Sequence, residues 1–153
     1  MKNENIIKYC NRPFKNTHEM NEVIINNWNM VIGNDDIVYH LGDYGFGTKD
    51  ELKEIFDRLN GKKYLIMGNH DLRVGKKYYL DLGFIDVYKK KFEFDKYIFT
   101  HWPIEVSNDK VNVYGHIHDK PVDPIFDNKN HICVSLDKTD FKPILLIEIE
   151  GDR

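Results

Sequence analysis

The 153-residue sequence lacks alanine and glutamine, and it contains only two cysteines, Cys10 and Cys133. A small secreted protein held together by several disulfides needs more cysteines, so that class is excluded. Cys133 lies in an apolar run, and we expect a buried small hydrophobic residue there rather than half of a disulfide. The net charge of −3 gives none of the overall basic character that is typical of nucleic-acid-binding domains.

Long hydrophobic runs are also absent. The longest apolar runs have about six residues, whereas a helix needs ~20 to span a bilayer. The first residues show no apolar core of a signal peptide, so we expect a cytoplasmic protein without a membrane partner. A hydrophobic content of 41% and a charged content of 31% are typical of a folded chain. The length predicts a single domain over 1–153.

Hydrophobic patterning predicts alternating helices and strands in the first half of the chain. Apolar residues at helical spacing predict helices at 17–31 and 76–82, and Thr48 with Glu51 predicts a capping box that opens a third. Strands are predicted at 37–41, 64–67, 84–88, 91–94, 97–100, 111–114, 132–135 and 144–149. This order predicts an α/β fold in which two packed sheets are flanked by helices.

Polar residues follow four of the predicted strands, where apolar core residues would otherwise be expected. The four segments are Gly42-Asp43, Gly68-Asn69-His70-Asp71, Thr100-His101-Trp102-Pro103 and Tyr114-Gly115-His116-Ile117-His118. Each segment alone could be an ordinary turn or surface loop. Together they offer carboxylate, amide and imidazole ligands, a set that suits Mn, Fe, Zn, Ni or Co better than Ca or Mg. Their combination predicts a metal site.

The order of these segments resembles the calcineurin-like metallophosphoesterase family. The motifs of that family run Asp-x-His, Gly-Asp, Gly-Asn-His-Asp/Glu, His and Gly-His-x-His, and the last four match over 42–118. Residues 5–43 and 134–143 also resemble a small subgroup of bacterial and phage members. The resemblance implies a metallophosphoesterase-type αββα sandwich of two mixed sheets flanked by helices.

The family's Asp-x-His motif is not found in this sequence. Alignment on Asn5 places it just before Met1, so we expect the first strand to be missing and the domain to be N-terminally truncated. Two explanations stay open: an enzyme whose coding sequence starts further upstream, or a natural short form that binds one metal as a weak enzyme or scaffold. A missing strand would also expose sheet edges, which could support a homo-oligomer.

The resemblance implies two divalent ions, with Mn as the expected metal and Fe, Zn, Ni or Co as alternatives. Asp43 would bridge both ions. Asn69, His101 and His116 would complete the second site, and His118 would belong to the first. Because the first site would lack the Asp-x-His ligands, we expect the second-site ion to be the better retained.

The reaction that the resemblance implies is hydrolysis of a phosphomonoester or phosphodiester by a metal-activated hydroxide. His70 would protonate or stabilise the leaving oxygen. Arg73 could contact the substrate phosphate or lie on the surface. Asp71 is expected to orient His70 or its loop, while His40 is either a packed strand residue or a supporting partner of Asp43.

The expected substrate is a phosphate-ester small molecule or a nucleotide, and a nucleic acid is not excluded. Tyr44, Phe46 and Trp102 flank the motifs and could line a pocket for a base or aryl group, or simply pack. A non-catalytic nucleic-acid-binding role has only the lysine runs at 62–63 and 89–91 in its favour, and such runs are usually solvated faces.

Overall fold

Helices and strands alternate through the first half of the computed structural model, which describes residues 4–146. The first elements are α1 (Glu4–Tyr9), α2 (Thr17–Val31), β1 (Ile37–His40), α3 (Lys49–Arg58), β2 (Lys62–Ile66), α4 (Asp71–Val74), α5 (Lys76–Leu82) and β3 (Val87–Tyr88). The later elements are β4 (Lys91–Phe94), β5 (Tyr97–Thr100), β6 (Val111–Tyr114), β7 (His131–Cys133) and two 3₁₀ turns at Pro124–Phe126 and Leu136–Lys138. None of the helices within 4–146 is long and apolar enough to cross a bilayer.

The strands form two sheets, as the sequence predicted. One sheet has the order β1-β2-β3, and all three of its described strands run parallel. The other has the order β4-β5-β6-β7 and is mixed, because β4 runs antiparallel to β5 while β5, β6 and β7 are parallel. The predicted α/β architecture of two sheets flanked by helices is therefore confirmed. That the family's first strand is missing stays a prediction.

Two hydrophobic clusters correspond to the layers of the fold. The first packs α2, α3 and α5 against one face of the β1-β2-β3 sheet, through residues such as Trp28, Phe56, Leu65 and Leu82. The second lies between the two sheets, where Ile66 packs with Tyr97, Phe99, Val111 and Val113. The sheets are therefore buried face to face, and their strand ends are held in fixed relative positions.

Helix boundaries follow the capping chemistry of the sequence. The Asn16 side chain accepts the Glu19 N–H at 2.9 Å and opens α2 at the predicted residue. Thr48 and Glu51 form the predicted capping box, with Thr48 Oγ1 accepting the Glu51 N–H at 3.3 Å and the Glu51 carboxylate accepting the Thr48 N–H at 2.8 Å. Each cap satisfies backbone donors that a helix start leaves free.

Several predicted elements differ from those observed. The strand predicted at 84–88 is observed as β3 over 87–88, where Val87 and Tyr88 pair with Leu65 and Ile66 of β2. Residues 144–146 of the last predicted strand are not extended in a sheet, and 147–149 lie outside the described residues. The prediction that Cys133 is buried was wrong: it lies half-buried on β7, an end strand, whereas Cys10 is buried.

Candidate metal centre

The carboxyl ends of four strands bring the predicted ligands together. In the first sheet, β1 and β2 pair with His40 opposite Leu65, so the loops that follow them are neighbours. In the second sheet Thr100 lies opposite Tyr114, and the Gly115 N–H donates to the His101 carbonyl at 3.1 Å. Because the two sheets pack face to face, the loops from both sheets meet in one place.

His101 lies at the middle of this meeting point and is almost fully buried. Its Nδ1 is 2.6 Å from the carbonyl oxygen of Leu41, which can only accept, so Nδ1 carries a proton. Its Nε2 faces three further polar atoms: Asn69 Oδ1 at 3.2 Å, His116 Nδ1 at 2.9 Å and Asp43 Oδ2 at 3.4 Å. In the neutral ring this Nε2 is an acceptor, and it faces the oxygens of Asn69 and Asp43, while the role of His116 Nδ1 depends on the tautomer of that ring. A cation among them would satisfy all of these atoms.

The electrostatics of the cluster support the same interpretation. Burial would lower the pKa of His101, but the Asp43 carboxylate and the Leu41 carbonyl raise it above its usual value. Burial would raise the pKa of Asp43, but the His101 ring and the His70 N–H lower it. Burial and the neighbouring His101 lower the pKa of His116. The opposite directions of these two shifts reflect the attraction between the Asp43 carboxylate and the His101 ring, whose Nε2 lies 3.4 Å from Asp43 Oδ2.

Three of the predicted ligands have a backbone conformation that most residues avoid. Asp43, His116 and His118 have φ angles of 53°, 65° and 55°, in the left-handed region. Such residues cost about 1–3 kcal/mol each and cluster at functional sites. Here the strain turns each side chain out of its strand direction at the point where the ligand atoms converge.

Two glycines allow the loops to approach closely. A Cβ on Gly42, where φ is 96°, would lie 2.5 Å from both His101 Nδ1 and the Gly68 backbone nitrogen. A Cβ on Gly68 would overlap the Asp43 carboxylate. The Gly-Asp and Gly-Asn-His-Asp segments therefore need glycine because their backbones contact the ligands directly.

Asp71 joins the two loops of the first sheet. Its side chain is fully buried and accepts the N–H groups of Asp43 at 2.6 Å, Tyr44 at 3.2 Å and Gly68 at 2.9 Å. The Tyr79 hydroxyl also donates to it, at 2.7 Å. All four bonds tie its oxygens to protein donors. This placement would allow Asp71 to orient the two loops, and that role stays a prediction.

The remaining predicted residues occupy different environments. The backbone N–H of His70 donates to Asp43 at 3.0 Å, and its ring contacts Phe46 with 4.5 Å between centroids. His40 is half-buried, and its Nδ1 accepts the Gly42 N–H at 3.3 Å. Burial lowers the pKa of His40, although the charges of Asp71 and Asp43 act in the opposite direction. The Arg73 side chain is exposed on α4 and does not line the cleft described below.

Aromatic side chains surround the cluster on two sides. Trp102 packs edge-on against the His101 ring at 4.7 Å, while Tyr44 is buried and belongs to the first hydrophobic cluster. A cleft of about 630 Å³ opens beside them, and among its lining residues are Asp43, Phe46, His70, His101, His116 and His118. The cleft gives the candidate ligands and the His70 ring a shared space that a small molecule could enter.

The group formed by Asp43, His101 and His116 does not include His118, whose place in the first site stays a prediction. The Nδ1 of His118 lies 3.8 Å from Asp137 Oδ2, and together with Cys10 these residues form a second group of ligand atoms within 4.8 Å of one another. Arg12 holds Asp137 through two bonds of 2.8 Å. Burial would raise the pKa of Asp137, but His118 and Arg12 lower it to about 2.

Sequence reasoning did not find Arg12, Cys10 or Tyr79. Arg12 and Asp137 are 125 positions apart, and nothing local in the sequence links them. Tyr79 belongs to an apolar helix face, and its hydroxyl partner becomes visible only when α5 is packed beside Asp71. The sequence contained one weak indication for Cys10: it is one of only two cysteines in the chain, and it lies two residues before Arg12.

The group of Asp43, His101 and His116 suits a divalent transition metal. Their ligand atoms lie within 4.8 Å of one another, and the amide of Asn69 adjoins them. One carboxylate, two imidazoles and an amide form the mixed N/O set that such ions accept. A model of the calcineurin-like phosphoesterase family matches residues 10–146. The chain belongs to the calcineurin-like phosphoesterase family.

Two relatives extend this assignment. The uncharacterized protein MJ1445 of Methanocaldococcus jannaschii is 36% identical over 152 residues, which cover 93% of this calcineurin-like phosphoesterase chain and 80% of that protein. A solved structure, the protein of unknown function AQ665 from Aquifex aeolicus, aligns with a TM-score of 0.77 and 26% identity, over 98% of this chain and 92% of that one. The recognition of the family from the sequence is thereby confirmed.

Proposed function

We propose that this calcineurin-like phosphoesterase hydrolyses a phosphate ester with a divalent transition metal held by Asp43, Asn69, His101 and His116. The observation that carries the proposal is the convergence of these ligand atoms around His101 Nε2. When bound, such an ion supplies Lewis acidity, which withdraws charge from a phosphate oxygen and makes water a better nucleophile at neutral pH. Manganese is the expected metal, with Fe, Zn, Ni and Co as alternatives.

The protein's own residues would position the substrate and handle the proton. The Asp43 carboxylate accepts the backbone N–H of His70 at 3.0 Å, which holds the His70 backbone beside the ligand cluster. The His70 ring lies against Phe46 in the same cleft, where it can donate a proton to the leaving oxygen of an ester. His40 would support the loop of Asp43 through the Gly42 N–H.

The substrate that the cleft favours is a small phosphomonoester or phosphodiester, including a nucleotide. At the end of the cleft that carries the candidate ligands, Phe46 offers an aromatic surface, whereas much of the remaining lining comes from apolar residues of α2, α3 and β1. Contact of Arg73 with the phosphate stays a prediction. Because its side chain is exposed outside the lining of the cleft, Arg73→Ala should change KM only if a substrate reaches beyond the cleft.

The test is hydrolysis of p-nitrophenyl phosphate and bis-p-nitrophenyl phosphate by the purified chain in Mn²⁺. Turnover of one ester over the other would distinguish a monoesterase from a diesterase. His116→Ala should abolish turnover and remove bound manganese, whereas His18→Ala, an exposed position on α2, should leave both unchanged. Turnover that survives in His116→Ala, or in the presence of a chelator, would refute the proposal.

A second candidate function is a one-metal binding protein or scaffold without turnover. The placement of His118 favours it, because its Nδ1 lies 3.8 Å from Asp137 Oδ2 and it does not belong to the group formed by Asp43, His101 and His116. One manganese ion per chain, lost in His116→Ala, together with no turnover of either ester, would select this function. Efficient hydrolysis would exclude it.

A purely nucleic-acid-binding role finds little support. Lys63 is buried, and its Nζ donates to the carbonyls of Leu59 at 2.5 Å and Gly61 at 3.1 Å, so it is not available to phosphates. Lys89, Lys90 and Lys91 are exposed, as a solvated face would be. A homo-oligomer through the edge of β1 stays a prediction, which the molecular mass in solution would test.

A further inference from the structure

We propose that Thr100 and Asn112 are positioning residues of the candidate metal centre and that they act through Trp102. The Trp102 ring contacts the rings of His101 and His116, with centroid distances of 4.7 and 5.7 Å. Thr100 and Asn112 hold the backbone segment that carries this ring. The inference rests on the proposed binding of a metal by His101 and His116, and it adds the residues that keep these two imidazoles in place.

The three rings form one packed group, in which Trp102 supports His116. The ring centroids of His101 and His116 are 4.8 Å apart, and Trp102 lies edge-on to His101 at an interplanar angle of 87°. The Nδ1 of His116 faces His101, whereas its Nε2 has no hydrogen-bond partner within residues 4–146. A metal-binding imidazole is normally oriented by a hydrogen bond from its other ring nitrogen. Here the contact with Trp102 takes the place of that bond.

Asn112 is a fully buried amide on β6, a strand whose four residues are all buried. Its Oδ1 accepts the Ile104 N–H at 3.0 Å. Its Nδ2 donates to the Ile98 carbonyl at 3.0 Å and to Thr100 Oγ1 at 2.8 Å. Burying an amide is unfavourable unless its polar atoms are hydrogen-bonded, and these three bonds satisfy the side chain. Two of the bonded residues, Thr100 and Ile104, lie on either side of Trp102 in the sequence.

Thr100 connects the amide of Asn112 to the backbone of Trp102. Thr100 is buried at the end of β5, and its hydroxyl oxygen accepts a hydrogen bond from Asn112, so the hydroxyl proton is available for a second partner. That proton is donated to the Trp102 carbonyl at 2.6 Å. One chain of hydrogen bonds therefore runs from β6 through Thr100 to the residue whose ring contacts both imidazoles.

The backbone that follows Trp102 is held as well. Pro103 has no N–H to donate, so the position of this segment depends on the polar groups of its neighbours. The Ile104 N–H donates to Asn112, and the Ile104 carbonyl lies 2.9 Å from His131 Nε2. The backbone is therefore tied to the second sheet both before and after Pro103. The Trp102 ring cannot swing away from the imidazoles unless some of these bonds break.

Manganese titration of Thr100→Val and Thr100→Ser tests this chain of hydrogen bonds. Valine keeps the shape of the side chain but has no hydroxyl, so we expect manganese affinity to fall about 10–100-fold. Serine keeps the hydroxyl, and its affinity should stay at the wild-type value. Thr139→Val is the matched control, because Thr139 is buried and its hydroxyl has no hydrogen-bond partner in the described part of the chain. Wild-type affinity in folded Thr100→Val, or equal losses in the valine and serine variants, would overturn the proposal.

Trp102→Leu shows whether Thr100 acts through the aromatic ring. We expect a loss of manganese affinity at least as large as that of Thr100→Val. The double variant should lose no more than Trp102→Leu alone, because both substitutions remove the same constraint. Losses that add in the double variant would show that Thr100 acts elsewhere and would contradict the proposal. If Thr100→Val does not fold, wild-type affinity in Trp102→Leu overturns the proposal by itself.

Tryptophan fluorescence reports on Trp102 without metal or substrate. The other tryptophan, Trp28, is 8% exposed and belongs to the first hydrophobic cluster, so acrylamide should quench mainly the half-buried Trp102. Quenching of the metal-free chain should increase in Thr100→Val and stay unchanged in Thr100→Ser. Equal quenching of wild type and Thr100→Val would show that the hydroxyl does not hold the ring, which refutes the positioning role.

The outcomes separate this inference from the proposed function. A wild-type chain that binds manganese but hydrolyses neither ester refutes the proposed hydrolysis and leaves the comparison of variants in force. Ester turnover together with wild-type manganese affinity in Thr100→Val refutes the positioning role alone. A wild-type chain that binds no manganese refutes both.

Discussion

The buried carboxylate of Asp71 accepts the backbone N–H of Asp43 at 2.6 Å, and this bond ties the loop after β2 to the loop after β1. The same carboxylate accepts two more backbone N–H groups and the Tyr79 hydroxyl. Four donors around one buried charge form a connected network. The position of the candidate ligand Asp43 therefore depends on a residue that lies behind it.

Asp71→Asn should disrupt both loops without removing a candidate ligand. The asparagine side chain would replace one accepting oxygen by an NH₂ group, which is a donor and would face the donors that now bind Asp71. The buried groups left unsatisfied should lower the free energy of unfolding by at least about 2 kcal/mol. We expect manganese affinity to fall about 10–100-fold. Metal titration and denaturant unfolding measure the two effects. Asp81→Asn, which removes an exposed i,i+4 partner of Lys77, should change neither by a measurable amount.

Tyr79→Phe should remove one hydrogen-bond donor from this network and leave the packing of the ring unchanged. A hydrogen bond to a charged group contributes about 1.5–3 kcal/mol, so we expect a loss of that size in the free energy of unfolding. Tyr78→Phe is the matched control, because the adjacent Tyr78 hydroxyl makes no hydrogen bond with residues of the described range. Equal stability of the two variants in urea would show that the Tyr79–Asp71 bond does not stabilise the fold.

The stabilisation from Tyr79 should depend on pH in the alkaline range. Burial and the Asp71 charge raise the pKa of Tyr79 above its usual value. The native state therefore retains the phenol proton longer than the unfolded chain does. The stabilisation is complete below the unfolded pKa of ~10 and is lost as the pH rises towards the native value. The stability difference between wild type and Tyr79→Phe should shrink above pH ~10, and a difference that grows there would contradict this linkage.

The local sequence predicted the elements of the fold because their signals are local. The capping box of Thr48 and Glu51 and the helical spacing over 17–31 place two helices at their observed positions. The strand-end motifs also identified the residues that meet around His101, because parallel strands carry their carboxyl ends to one edge. Residues of one short segment, such as Asn69 and His70, could be predicted as part of the same site because they follow the same strand.

Contacts between distant segments could not be predicted in the same way. The Arg12–Asp137 pair joins residues 125 positions apart, and it draws His118 toward a group that the motif pattern did not contain. The strand predicted over 84–88 is longer than the observed β3, because only Val87 and Tyr88 pair with β2. In both cases tertiary packing decided the outcome, and no local pattern records it.

Gly42→Ala and Gly75→Ala separate backbone strain from contact. The two glycines have nearly equal φ angles, 96° and 99°, so an alanine at either should cost about 1–3 kcal/mol for the positive φ. Only Gly42 has neighbours in the way, because its Cβ would lie 2.5 Å from His101 Nδ1, whereas Gly75 has nothing within 4 Å. We expect Gly42→Ala to lose metal binding as well as stability, and Gly75→Ala to retain metal binding in a manganese titration.

His70→Ala should separate proton transfer from metal binding. His70 lines the cleft but contacts Asp43 through its backbone N–H, which the substitution keeps. If its ring protonates the leaving oxygen, kcat should fall by about 10²–10⁴-fold while manganese content stays at the wild-type level. The loss should be smallest for esters with acidic leaving groups, since these need no proton. A uniform loss across leaving groups of different pKa would assign His70 a structural role, and His18→Ala, which is exposed on α2, provides the control for histidine removal in general.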